Sequence, residues 1–187
     1  VGKFGGLYYD EEAFTVFKMA ADRFGPDFRL VLLTNEPEEA IHARLARVGF
    51  PAEHCLVRFV RNEEVPTWLS MADLAFSTIR YAAHGLYQSP VKNGEYWASG
   101  LPIMLTVGVS DDHRYIQAEP WAGALFDPRV EGSVEKAVDH MVALVRQGVD
   151  RERIMGLARK YRSPVIAAEL YERLFGLEIM SGSVPEA

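Results

Sequence analysis

Cysteine is nearly absent from this chain: Cys55 is the only one among 187 residues. One thiol cannot close an internal disulfide or build a thiolate metal cage, and such usage suits a reducing, cytoplasmic compartment. Long apolar runs are missing too. The longest uncharged stretch, Tyr96 to Ser110, is interrupted by Gly100 and Pro102 and falls short of the ~20 apolar residues of a membrane helix. Positive charge is in deficit, with 20 Lys and Arg against 26 Asp and Glu and a formal net charge of −6. The balance is 10 basic to 12 acidic residues in positions 1–93 and 10 to 14 in positions 94–187, so no basic face announces nucleic acid. Glycine and proline, at 15 and 10, are too few for a collagenous or low-complexity chain. The opening Val-Gly-Lys-Phe shows no signal-peptide pattern and reads as a cut through a strand.

What is present is an ordinary globular mixture, 49% hydrophobic and 25% charged, sufficient for one core in a single domain over residues 1–187. Apolar spacing predicts helices over Glu11 to Phe24, Pro37 to Val48, Glu63 to Ala72, Pro90 to Ser99, from Asp111, Ser133 to Gln147, Arg151 to Tyr161 and Pro164 to Phe175. Short apolar runs predict strands over Phe28 to Leu33, His54 to Val60, Leu74 to Thr78, Pro102 to Val107 and Ala124 to Phe126. This alternation implies βαβ units in an α/β fold. It predicts a Rossmann-like, doubly wound parallel sheet with a helical C-terminal portion, and ligands at the carboxyl ends of the strands. Ser181 to Ala187 reads as a loose tail.

Two segments break local rules at predicted strand ends. Gly2-Lys3-Phe4-Gly5-Gly6 would let backbone approach a ligand, with Lys3 available to a phosphate. Its glycines do not match G-x-G-x-x-G, although Glu36 follows the next strand, and a plain βα turn explains them equally. The second segment runs from Ser89 to Pro102. Ser89 is the expected N-cap, Pro90 the first helical residue, and Gly100 with Pro102 the stop. Lys92 in the first turn opposes the helix dipole by ~0.3 to 1 kcal/mol, and Gly94 costs ~1 kcal/mol against alanine.

A helix start with a lysine suits phosphate, and Gly94 suits close approach of a ligand or neighbouring backbone. Glu95, on roughly the same face as Lys92, can accept two hydrogen bonds from vicinal hydroxyls. The plain alternative is a surface Lys92–Glu95 contact worth a few tenths of a kcal/mol, with Gly94 making room for packing.

The segment Ser89-Pro90-Val91-Lys92, Glu95-Tyr96, Gly100-Leu101-Pro102 resembles the S-P-x-K-x-x-E-Y-x-x-x-G-x-P signature of GT-B glycosyltransferases, GT4-like. Val1-Gly2-Lys3 resembles the strand and Gly-Arg/Lys turn that opens the second domain of that family. Glu63-Glu64-Val65-Pro66 through Ala72-Asp73 resembles its "eel…aaaD" helix. The resemblance implies a carboxy-terminal half that binds a nucleotide-sugar donor. The acceptor-binding half would be missing, and any peripheral membrane association would belong to that half.

Carried over by residue, the resemblance implies a backbone approach at Gly2 and Lys3 on the donor diphosphate. It also implies Glu95 on the ribose hydroxyls, the amides near Ser89 on phosphate or sugar, and Lys92 as a further phosphate partner. Val60 and Arg61 would flank the nucleobase. Two departures stand out: Tyr87 occupies the place of an acid that touches the donor sugar, and Tyr8 that of a second basic residue. Arg80 or Lys92 would then complete charge neutralisation. The resemblance implies a nucleotide-diphosphate sugar as partner, bound as a substrate, and neither a cofactor nor a metal. A non-catalytic nucleotide-sugar-binding module and a sugar-nucleotide epimerase of the same fold are the alternatives.

Other candidates have plainer readings. The five histidines, His42, His54, His84, His113 and His140, are never three or four apart, which removes a helical metal pair. Asp111-Asp112 reads as acids that favour a helix dipole, and Trp68, Trp97 and Trp121 as packing residues. Without a G-x-S-x-G elbow, and with the one cysteine in a predicted strand, covalent hydrolase chemistry has no support.

Overall fold

The computed structural model describes residues 1–176, so the expected tail from Ser181 lies outside the described residues. The elements in order are α1 (Glu11–Phe24), β1 (Leu30–Leu33), α2 (Glu38–Arg47), β2 (Cys55–Arg58), α3 (Val65–Ser70), β3 (Ala75–Phe76) and α4 (Val91–Ala98). They continue with β4 (Ile103–Thr106), α5 (Asp112–Ala118), β5 (Gly123–Phe126), α6 (Ser133–Gln147), α7 (Arg151–Arg162) and α8 (Pro164–Phe175). Every strand pair is parallel, as expected where each strand is followed by a helix long enough to cross back.

Helices cover both faces, and β4 shows why its sequence carries no polar alternation. Met104 enters a core with Phe14 and Phe17 of α1, Leu32 of β1 and Met141 of α6. Its neighbours Ile103 and Leu105 enter a second core with Trp97 of α4, Ile116 of α5 and Ile154 of α7. Side chains alternate across a strand, so one strand between two helical layers must be apolar throughout. All four of its residues are buried.

The strands form two sheets rather than one: β1–β2 and β3–β4–β5. Between the facing edges of β1 and β3 lies an apolar slot of about 550 Å³, walled by Leu30, Leu32, Ala75, Phe76 and Met104. At its end the Gly2 N–H donates to the Leu33 carbonyl at 2.8 Å. The backbone entering at Gly2 is therefore already bonded to the open edge of β1. Parallel edges left unpaired on both sides of an apolar slot are what separates the expected single sheet into two.

The predicted helix starting at Pro90 begins one residue later. Pro90 is the N-cap, with extended backbone, and Val91 is the first helical residue. Ser89 makes no cap, because its hydroxyl is taken by Arg162. The stop behaves as expected. Gly100 adopts φ +71°, its N–H reaches the Trp97 carbonyl at 2.9 Å, and the Leu101 N–H reaches that of Tyr96 at 2.9 Å. This is the paired bonding of a Schellman ending.

Candidate functional site

Helix α4 projects from the carboxyl end of β3, on the rim where open α/β sheets bind ligands. Beside its first turn lies the segment from Val1 to Tyr8. Gly2 has φ +124°, and a Cβ there would collide with Lys92 Nζ. The backbone conformation is what favours glycine at this position, and the group beside it is the movable end of a lysine of α4. The ammonium of Lys92 also stands 4.6 Å from the centre of the Tyr8 ring.

The electrostatics of this corner are cationic and partly desolvated. Burial lowers the pKa of Lys92, opposed by the nearby Glu95 carboxylate and reinforced by Lys3. Burial raises the Tyr96 phenol, with the nearby Glu95 carboxylate acting in the same direction. Glu95 and Lys3 are solvent-exposed. Among the described residues no ion pair joins Glu95 to Lys92, so the plain surface contact expected from their spacing is not formed.

The structure therefore brings Gly2, Lys3, Lys92 and Glu95 into one neighbourhood at the start of α4. Three others lie elsewhere or are engaged otherwise. Arg80 is committed to Glu12 of α1, with Nη2 at 3.1 and 3.0 Å from the two carboxylate oxygens. Arg61 pairs on the surface with Glu64 at 3.4 Å and Glu63 at 3.9 Å. Val60 packs against the second core.

Ser89 is exposed at the mouth of the loop, and its hydroxyl accepts from Arg162 Nη1 at 2.9 Å. Tyr87 is 90% exposed, on a single turn of 3-10 helix over Gly85–Tyr87. Glu36 has a structural task, accepting the Phe4 N–H at 2.9 Å and pairing with Arg44 at 3.3 Å.

Several contacts at this site are absent from the sequence reading. Asp112, read as a dipole-favouring acid, is instead fully buried. It pairs with Arg162 and accepts from Asn93 Nδ2 at 2.8 Å. A buried carboxylate needs such partners. Gly94 faces the stem of Arg162, whose Cγ would lie at an ordinary contact distance of 3.4 Å from a Cβ there, so no neighbouring backbone makes the close approach expected at Gly94. Tyr8, Asn93 and Arg162 carry no local signal of these contacts, because each partner lies on a distant segment. Of the tryptophans, Trp97 is wholly buried, as a packing residue should be.

No known protein family and no curated protein matches the sequence. Solved structures do. The chain resembles WaaG, a glycosyltransferase involved in lipopolysaccharide biosynthesis, with TM-score 0.59 and 18% identity over 86% of this chain and 43% of that one. It resembles a mutant of the Thermobaculum terrenum O-GlcNAc transferase with TM-score 0.62 and 17% identity over 92% and 34%. AviGT4, a glycosyltransferase involved in avilamycin A biosynthesis, gives 0.60 and 19% over 92% and 48%.

The architecture is thus the α/β, Rossmann-like arrangement of a GT-B half, with parallel strands between helical layers. The chain spans less than half the length of each of these structures. Among the described residues no helix is long and apolar enough to cross a membrane.

Proposed function

We propose that this chain is the nucleotide-sugar-binding part of a GT-B glycosyltransferase, GT4-like, whose acceptor-binding part is supplied by further polypeptide. The observation that carries this reading is the convergence of Gly2, Lys3, Lys92 and Glu95 at the start of α4. Lys3 and Lys92 lie on the diphosphate and Glu95 on the two ribose hydroxyls, with Ser89 near phosphate or sugar. Arg80 is paired with Glu12 in this structure, and Lys92 takes the part of the second cation.

The chemistry assigned to these residues is electrostatic. As the bond between sugar and diphosphate breaks, negative charge accumulates on the leaving phosphate, and fixed cations with the free N–H groups of α4 stabilise it. Partial desolvation of Lys92 strengthens that interaction. The reading assigns no metal and no cofactor, and it leaves the group that activates the acceptor to the other half. By itself the chain binds donor and transfers nothing. Cys55, with its thiol pushed up to about 12 by burial, is an inert thiol that suits a cytoplasmic protein.

Calorimetric titration with UDP, GDP and ADP tests this reading. One of the three should bind, and Glu95→Ala should weaken that binding by ~10- to 150-fold, the loss of charged hydrogen bonds to the ribose. Binding unchanged in Glu95→Ala would remove the assignment.

A further inference from the structure

Arg162 closes α7 far along the chain from Ser89, yet its guanidinium joins three segments around the start of α4. Nη1 donates to Ser89 Oγ at 2.9 Å, in the loop that enters the helix. Nη2 donates to Ser110 Oγ at 3.1 Å, in the loop that follows β4, and to Asp112 Oδ1, at the first residue of α5. Asp112 passes the connection back to α4 through Asn93 Nδ2, at 2.8 Å from Oδ2. Asp112 and Asn93 are fully buried and Ser110 is nearly so.

The stem of Arg162 lies along α4 at Gly94, where a Cβ would stand 3.4 Å from Cγ. Ser110 holds φ +56°, a left-handed backbone unusual for a side chain of this kind. A conformation of that sort persists where its surroundings over-determine it.

From this arrangement we propose that Arg162 is a positioning residue for the diphosphate end of the candidate site: it fixes Ser89 and the first turn of α4 so that their polar groups face the phosphates. The inference rests on the nucleotide-binding reading above and deepens it. Asp112 neutralises the guanidinium, so Arg162 contributes geometry and not net charge. A planar fork bonded to three oxygens, on two loops and the start of α5, holds their relative orientation in a way that a single point donor does not. Site residues of this kind depend on the groups behind them, and loosening that support misplaces them.

The test compares the unaltered chain with Arg162→Met, Arg162→Lys and Ser89→Ala, titrating each with the nucleoside diphosphate that binds and with the corresponding free nucleoside. Arg162→Met keeps the stem over Gly94 and removes the fork. It should lose about tenfold or more in diphosphate affinity, with nucleoside affinity unchanged. Arg162→Lys should recover only part of the loss, and Ser89→Ala should show the same selective loss to a smaller degree.

Where Arg162→Met unfolds because Asp112 is left unpaired, the double variant Arg162→Met with Asp112→Asn restores the fold and should still show the selective loss. Equal weakening of diphosphate and nucleoside, or no weakening, overturns the positioning role and leaves the nucleotide-binding reading intact. An unaltered chain that binds no nucleoside diphosphate overturns both.

Discussion

The Lys92 ammonium sits 4.6 Å from the centre of the Tyr8 ring, beside a glycine whose φ of +124° disfavours any side chain at position 2. Where the resemblance leads one to expect a second cation, this chain has an aromatic face that receives the cation already present. The quadrupole of the ring partly replaces the water that Lys92 loses on burial.

A variant series at Tyr8 follows from that contact. Tyr8→Phe keeps the ring and should stay within about 0.5 kcal/mol of the parent chain. Tyr8→Ala should cost about 1 to 3 kcal/mol through the lost cation–ring contact and buried area. Urea denaturation measures both, and equal costs for the two would remove the ring from the account.

The slot between β1 and β3 should accept a strand. Fusing a short extended apolar segment ahead of Val1 would continue the backbone already bonded at Leu33 and pair both free edges. Such a chain should melt several degrees higher than one carrying a Gly-Ser extension of equal length. Hydrogen exchange at β1 and β3 should slow only in the apolar version. Equal melting of the two would show that the slot is not a strand site.

Two glycines of α4 and its ending should respond in opposite ways. Gly94→Ala gains about 1 kcal/mol of helix propensity and meets only the flexible Arg162 side chain at 3.4 Å, so stability should hold or improve slightly. Gly100→Ala must adopt φ +71° with its Cβ 2.6 Å from that of Arg151 and 3.1 Å from the Arg151 backbone. A loss of about 2 kcal/mol or more is expected, and thermal melts compare the pair directly.

Long periodic helices were legible in the sequence: α1, α6 and α8 run over the expected residues. Four of the five strands were read too long, because apolar residues such as Phe28 and Leu74 pack on the core without joining a ladder. Division into two sheets was not legible, since it depends on which edges find a partner. Around α4 the glycine at position 2 and the lysine at 92 announced a close approach, but not that they approach each other. Arg162, Asp112 and Asn93 were hidden for a related reason: a buried polar network joins segments far apart in sequence, and each residue alone resembles a surface group.

The central claim is that Glu95 holds paired ribose hydroxyls, and a thermodynamic cycle measures it most directly. The parent chain and Glu95→Ala are each titrated with a ribonucleoside diphosphate and with its 2′,3′-dideoxy counterpart. If the carboxylate meets those hydroxyls, Glu95→Ala loses ~10- to 150-fold for the ribonucleotide and almost nothing for the dideoxy form. Equal losses for both ligands, or none for either, would contradict the account.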